Sequence, residues 1–584
     1  MTDYFDLHFH PTFKKFITNY EPAFPTQRNA EELEEKINLK NKIAEKVDDW
    51  FLHILQSQSA VGDCISSGVQ IGNAALANLE YGFANSRGFL ASILKSSFTK
   101  PMDQKYFELV ERGEISYYRM MLKELDLYRQ ISKGDNRVEM ICRKLHKNLD
   151  SLSINSKLKL LISLEGGHNL SRLKVGQTLV HDSMAQYAAY DQKDSFVKSM
   201  NRGPKIGINP AESFKDFMQL LWDNDMDMMY MTITHLTHIA EQNLATHAFG
   251  LKMLQHSAFY PTGNGISRMG YELIKAFSDL KLTDNEGKSV KAPVLADIKH
   301  LGLKSRMDLY AFRKSNNIKD PLVASHMGVT GYSVNEWKEA IITDKSKVFS
   351  TGGVKSVEVR TERKSCGKWG SFINNQFSFN PWSINLMDED IVEVINSNGL
   401  IGVNLDVRII GFQSKIGLSS SDTSEFLSTS DFQTHFPNIR LQNLEEGRFE
   451  MMQEQLESWT VPTKEERHPL CLCFNIIHIV NVAMLKSKNS TDPWNHICIG
   501  SDYDGMIEPM KICYNVTGID DLEYNLLKWL PIAAKAYYEE NGGVESIQHE
   551  LTDLNKLKSK VRKIMFENGK RFVNNWLAGK AGAV

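Results

Sequence analysis

The sequence predicts an α/β fold, a (β/α)8 TIM barrel with long, mainly helical and loop insertions. Three observations point to it. Short apolar runs rich in Ile, Val and Leu recur along the 584 residues, each closing on a polar residue with chemical capacity. Eight such runs can be counted, and the segments between them carry mostly helical spacing. Strands buried on both faces read as short continuous apolar runs, strands alternating with helices build a parallel sheet, and eight of them close a barrel.

The runs come in order. YFDLHFH (4–10) ends in His8 and His10, and NAEELEEKINLKNKIAEKVDDWFLHIL (29–55) after it has helical spacing. GVQIGN (68–73) is second, LLISLEGGH (160–168) third with Glu165, and MMYMTITH (228–235) fourth with His235. PVLADIKH (293–300) and PLVASH (321–326) bring His300 and His326; GLIGVNLD (399–406) and HICIGSD (496–502) complete the set, the last with Asp502. The spacing is uneven. Residues 74–159, 336–398 and 413–490 are long gaps, expected as insertions on one barrel domain spanning 1–584. KVFSTGGVKSVEVRTERKSCGKWGSF (347–372) and GLSSSDTSEFLSTSDFQTH (417–435) are polar and Gly- or Ser-rich, and read as loops. No internal repeat or low-complexity tract is visible.

Composition narrows the partners. Hydrophobic residues make up 42% and charged residues 24%, and 68 Lys and Arg against 71 Asp and Glu leave a formal charge of −3. That balance gives no case for nucleic acid or an anionic membrane surface. No apolar run reaches the roughly 18 residues of a membrane span, and the N-terminus lacks the order of a secretory signal. Of seven Cys only Cys471 and Cys473 lie close together. No disulfide framework or CxxC pair is visible, so a reducing cytoplasm is the expected location.

Side chains at i and i+2 of a strand share a face, so His8 and His10 both point to the barrel axis. The C-terminal ends of barrel strands carry the chemistry. His8, His10, Glu165, His235, His300, His326 and Asp502 all fall there. Converging imidazoles and carboxylates are what a zinc-type site requires. Each has a plainer reading: a lone His is usually a hydrogen-bonded core residue, Glu165 could cap a helix at a strand-to-helix turn, and Asp502 and Asp504 of GSDYDG could be turn residues. His238 and His247, at helical spacing from His235, read as solvated or as supports behind the centre. One metal site accounts for five or six positions together.

The motifs resemble the membrane dipeptidases (renal dipeptidase type), a zinc-dependent branch of the amidohydrolase superfamily of metal-dependent hydrolases. SLEGGHNL is similar to the strand-three motif whose glutamate bridges two metals, here Glu165. MTITH resembles the strand end whose His contacts substrate, here His235. DIKHLGLKS and VASHMGVTGY resemble the motifs whose histidines bind the second metal, His300 and His326. IGSDYDG resembles the last-strand motif whose first aspartate is Asp502, and FENGKRFVNNWL (566–577) the closing helix. Two departures stand out: the family's first strand carries His-x-Asp where this chain has His8-x-His10, and the family's carboxylate-gripping Arg before an Asn maps to Ile384 before Asn385.

The resemblance implies two divalent ions, zinc first among the candidates. His8, His10 and Glu165 would hold one; Glu165, His300 and His326 the other. Asp502 would orient a metal-activated water, take its proton and pass it to the leaving amine. His235 would steady the oxyanion. Substrate contact falls to His235, Tyr332 and Arg408, with Arg360 and Arg363 as further stand-ins for the missing Arg; the plainer reading of all three arginines is a surface charge. The expected function is a metal-dependent hydrolase, dipeptidase-like, acting on a small peptide or amide. Hydrolysis of a lactone, cyclic amide or ester, or a non-catalytic metal-binding scaffold barrel, stay open, as does a homodimer.

Overall fold

The computed structural model of the chain describes residues 2–18, 56–87, 104–113, 115–149, 158–172, 209–238, 243–251, 256–284, 286–351, 354–369, 376–412, 423–447 and 467–580, with positions 42, 45, 46 and 48. The helix expected over 29–55 lies outside these, those four single positions apart. All eight expected strands form. They are β1 (Tyr4–Phe9), β2 (Val69–Leu76), β3 (Leu158–Glu165), β4 (Met228–Thr232), β5 (Leu295–Asp297), β6 (Leu322–Met327), β7 (Leu400–Val403) and β8 (Ile497–Ile499). Each pairs in parallel with the next, and β8 returns to β1 through Asp6 and Ile499, which closes the barrel. A further short strand, Val138–Met140, lies parallel along the start of β3.

Helices follow the strands: α1 (Tyr117–Gly134) after β2, α2 (Pro210–Asp223) after β3, α3 (Arg268–Asp279) after β4, α4 (Leu303–Ser315) after β5 and α5 (Asp388–Asn396) after β6. α6 (Arg467–Lys486) follows β7, α7 (Ile519–Asn541) follows β8, and α8 (Asn568–Leu577) closes the chain's described part. Local chemistry sets their starts: Ser116, Asn209 and Ser267 accept first-turn amides, and Pro210 stands where no amide partner is needed. α6 is long and apolar enough to cross a membrane by length and composition, but it is buried on most sides, packed against α5 and α7. α8 is pinned from beneath the barrel by Asn568 Nδ2, which donates to the carbonyls of Trp494 and Ile497 at 2.7 Å each. All seven cysteines are buried and unpaired.

The two polar insertions are not loops throughout. Val354–Arg360 pairs antiparallel with both Lys347–Thr351 and Ser424–Ser428, so segments from two different insertions share one small sheet. Gly and Ser content hid a period-2 pattern: Val357, Val359 and Leu427 pack with Trp337 and Phe432, while Phe426 packs with Phe249 and Tyr260 of the loop after β4. The sheet is thereby anchored to the loops at the barrel mouth.

Candidate metal centre

Six of the residues expected at the mouth meet around one carboxylate. Glu165, at the end of β3, has His300 Nε2 3.1 Å from Oε1, His326 Nε2 at 3.3 Å and His8 Nε2 at 3.5 Å. His10 Nε2 lies 3.3 Å from its other oxygen and His235 Nε2 3.6 Å. Asp502 stands at the rim, Oδ1 3.5 Å from His10 Nε2 and 3.9 Å from His8 Nε2. Its side chain is 14% exposed, against 4% for Glu165.

The partners behind the rings fix which nitrogen faces the centre. His10 Nδ1 lies 3.1 Å from the Ala75 carbonyl, which only accepts, so the ring proton sits there. Tyr230 gives its O–H to the Leu7 carbonyl at 2.8 Å, so it accepts from His8 Nδ1 at 2.7 Å. Ser325 gives its O–H to Asp297 at 2.5 Å and accepts from His326 Nδ1 at 2.8 Å. Three rings therefore present Nε2 lone pairs inward, and those of His8 and His10 face each other at 3.2 Å. Lone pairs turned on one another and on a buried carboxylate repel unless a cation lies among them.

Without a metal, protons take its place on some of these rings and not on others: against the effect of burial, His235 is lifted to about 9 by Glu165 and Glu80. Burial works against a charge on Glu165, yet the imidazoles of His235 and His8 hold it well below the usual carboxylate range. Burial also works against charge on His10, but Asp502 and Glu165 lift it to about 10. His300 is pushed down to about 3, first by burial, and burial likewise holds His326 well below an ordinary histidine. Glu165 is thus held anionic and His300 and His326 neutral, and carboxylates with neutral imidazoles are the donor set of divalent metal ions. Three sets of ligand atoms lie within 4.8 Å of one another: His8, Glu165 and His326; His8, His10 and Asp502; Glu165, His235 and His300.

Backbone geometry marks the same residues. His300 (φ 65°) and Asp502 (φ 62°) both adopt the left-handed region. His and Asp tolerate it better than most residues, and such strain gathers at functional sites. The His300 carbonyl accepts from Ala248 N–H at 2.7 Å and Thr234 O–H at 3.1 Å, which holds the bend. Both glycines of GSDYDG are sterically required: a Cβ on Gly500 would lie 1.9 Å from the Ser325 carbonyl, and one on Gly505 2.1 Å from Asp502 Oδ1.

The other expected residues fall as follows. Tyr332 donates its hydroxyl to the Glu362 carbonyl at 3.1 Å, under the Lys364 ammonium, and makes no contact with the cluster among the described residues. Arg408 is 36% exposed; its Nη2 is 2.5 Å from Asp406, and its Nη1 3.6 Å from Glu508. Arg363 donates to the Phe379 and Gly411 carbonyls. Ile384 is buried, and a Cβ at Gly250 would lie 2.7 Å from Leu236 Cδ2 and 2.9 Å from Ile384 Cδ1, so an apolar wall stands next to the His235 loop. His247 is buried rather than solvated, and donates to the Phe259 carbonyl at 3.2 Å. Glu165 caps nothing: the turn Gly167–Leu170 has no side-chain cap.

Asp504 holds the structure. It is 1% exposed, accepts from the amides of Gln58 and Ser59 at 2.8 Å each and lies 3.2 Å from Lys14 Nζ. Asp504→Asn turns one acceptor into a donor facing these groups and is expected to cost about 1–3 kcal/mol of stability. Urea unfolding checks it; a loss of turnover with unchanged stability would place Asp504 in the chemistry instead.

Several contributors carry no motif. Asp6 was within reach of the i, i+2 rule that pairs His8 with His10; it accepts from the amides of His8 at 3.1 Å and Ser501 at 2.9 Å. Asp297, Ser325 and Tyr230 act from behind the rings, and no local signal marks them. Lys299 is buried beside His300: burial lowers its pKa, while Asp502, Glu165, Asp297 and Asp406 pull the other way.

No family model matches the chain, and no curated protein does. Among solved structures it is similar to a metallo peptidase from Rhodobacter sphaeroides liganded with a phosphinate mimic of the dipeptide L-Ala-D-Ala, at 11% identity and TM-score 0.40 over 99% of each chain. It is similar to dipeptidase AC, a metallo peptidase, at 12% identity and TM-score 0.41 over 100% of this chain and 99% of that one. The probable dipeptidase PvdM from Pseudomonas aeruginosa matches at 11% identity and TM-score 0.40 over 90% of each chain. At this level the likenesses say nothing of chemistry in this chain.

Proposed function

We propose that the protein is a metal-dependent hydrolase that cleaves a peptide or amide bond in a small substrate. The observation that carries it is the convergence on Glu165 of imidazoles whose Nε2 lone pairs face inward, with Asp502 at the open rim. His8, His10, Glu165, His300 and His326 would hold two divalent ions, zinc suiting the imidazole-rich set. When bound, such ions polarise a carbonyl as Lewis acids and acidify water. Asp502 takes the proton of the attacking water and returns it to the leaving amine. His235, 17% exposed, faces the mouth with Nε2 and contacts the carbonyl oxygen as charge develops.

Elemental analysis is expected to find about two ions per chain, as in other paired-metal sites, and a dipeptide and amide panel should show chelator-sensitive hydrolysis. No bound metal after zinc or manganese supplementation would overturn the reading. A loaded but inert protein would favour the scaffold alternative, and turnover of lactones or cyclic amides alone would favour another amidohydrolase reaction.

Among the described residues, side chains considered as a grip for a substrate's free carboxylate are apolar or engaged elsewhere. Ile384 is apolar, Arg408 is engaged by Asp406, and Arg363 by two carbonyls. A hydrogen-bonded charge pair in a partly desolvated pocket contributes roughly 2–5 kcal/mol, about 30-fold to several thousandfold in affinity. A larger or C-terminally capped amide is therefore expected to be preferred over a simple dipeptide. Comparing kcat/KM for a dipeptide and its amide checks this; a free dipeptide favoured by about a hundredfold would reveal a cation grip.

A further inference from the structure

The geometry points to Glu80 as the positioning residue of this site, a carboxylate that holds the His235 ring with Nε2 turned to the centre. The inference rests on the hydrolase reading above and extends it to a residue outside every motif. Glu80 follows β2 in ANLEYGF, and nothing in that stretch marks it. The fold brings it across the mouth to the loop after β4. It is 3% exposed, and among the described residues no Lys or Arg lies within ion-pair distance of it. A buried carboxylate needs partners, and Glu80 finds them at the His235 loop. Its Oε1 lies 3.2 Å from His235 Nδ1, accepts from the Thr237 amide at 3.2 Å and is 3.9 Å from His168 Nδ1. Burial opposes its charge, but His235 holds it ionised, down to about 2.

The rest of the cage agrees. On the far side of the ring, Nε2 is 3.6 Å from Glu165 Oε2. His168 stacks at 6.0 Å between centroids, and His300 meets the ring edge-on at 4.6 Å. His168 and His300 restrict the ring's tilt but do not distinguish its two nitrogens. Glu80 does: a carboxylate 3.2 Å from Nδ1, in ion-pair contact though outside hydrogen-bond geometry, commits that nitrogen outward and leaves Nε2 for the reacting group. Without it, a ring flip exchanges the two ends at little cost, and a donor aimed at the transition state loses its direction.

The test compares Glu80→Met, which keeps length but accepts nothing useful, with Glu80→Gln, which keeps an acceptor oxygen. Carboxylates behind a working histidine typically contribute 10- to 100-fold. Glu80→Met should therefore lose about that factor in kcat with KM and metal content near the parent's, and Glu80→Gln should recover part of it. A crystal structure of Glu80→Met should show His235 turned, with Nε2 farther from Glu165. An unmoved ring overturns the proposal whether or not the protein is active, and so does loss of metal from Glu80→Met, which would make Glu80 part of the metal's support. If the parent hydrolyses nothing, the hydrolase reading fails, and the ring orientation alone still decides the positioning role.

Discussion

Asp502→Asn is expected to lower turnover by about 10²- to 10⁴-fold, the usual contribution of a positioned general base, while metal content and fold persist. The substitution is unusually clean at this position. Asp502 sits at φ 62°, and Asn is among the few residues that accept a left-handed backbone. Its amide donates to the His8 carbonyl at 2.8 Å, a bond the new side chain does not touch. Gly505 leaves room for a side chain of the same shape. What changes is that Asn cannot take the proton. Kinetics with elemental analysis separate the outcomes. Near-normal turnover would remove Asp502 from proton transfer. Loss of an ion along with activity would say that its oxygen, 3.5 Å from His10 Nε2, is first of all a ligand.

The barrel and its centre were legible in the sequence because both depend on local rules. A strand buried on two faces has to be apolar and short, and its C-terminal end is where a polar residue reaches the mouth. His8, Glu165, His300 and Asp502 could be read from such ends one by one. The supports could not. Tyr230, Ala75 and Ser325 fix three ring tautomers from three different strands, and each is an ordinary residue in its own stretch. Glu80 reaches His235 across more than 150 positions of chain. The insertions were misread for a related reason: Val354–Arg360 becomes a strand only because Ser424–Ser428 arrives beside it from another insertion. The arginines show the converse. Arg408 was a fair candidate for substrate contact by position, but Asp406, two residues before it, is close enough to take its fork.

Glu165→Gln should abolish metal binding and turnover, and should also cost the metal-free protein stability at neutral pH. Without ions the charge on Glu165 is held by its imidazole neighbours, which keep the carboxyl well below its usual range, and a depressed carboxylate pKa stabilises the fold at neutral pH. It sits 3% exposed among five imidazoles, and protons replace the cations there, as the lift of His10 to about 10 shows. Gln has the same shape. Its carbonyl oxygen can still accept from His300 Nε2, now 3.1 Å from Oε1, and its amide can donate to the lone pair on His10 Nε2, 3.3 Å from Oε2. Asp502 still faces His10 and Glu80 still faces His235, so the substitution removes one partner from a buried charge cluster, a change that typically costs about 3–5 kcal/mol. The metal-loaded forms should differ more: ligand binding adds about 2.7 kcal/mol to the parent at a hundredfold excess over Kd, and little to the variant. Urea unfolding of both proteins with zinc and with chelator gives all four stabilities. A variant that keeps two ions would show that the histidines suffice and that Glu165 bridges nothing. A metal-free variant as stable as the metal-free parent would show instead that the metal-free protein does not rely on Glu165 as the anionic partner of protonated imidazoles.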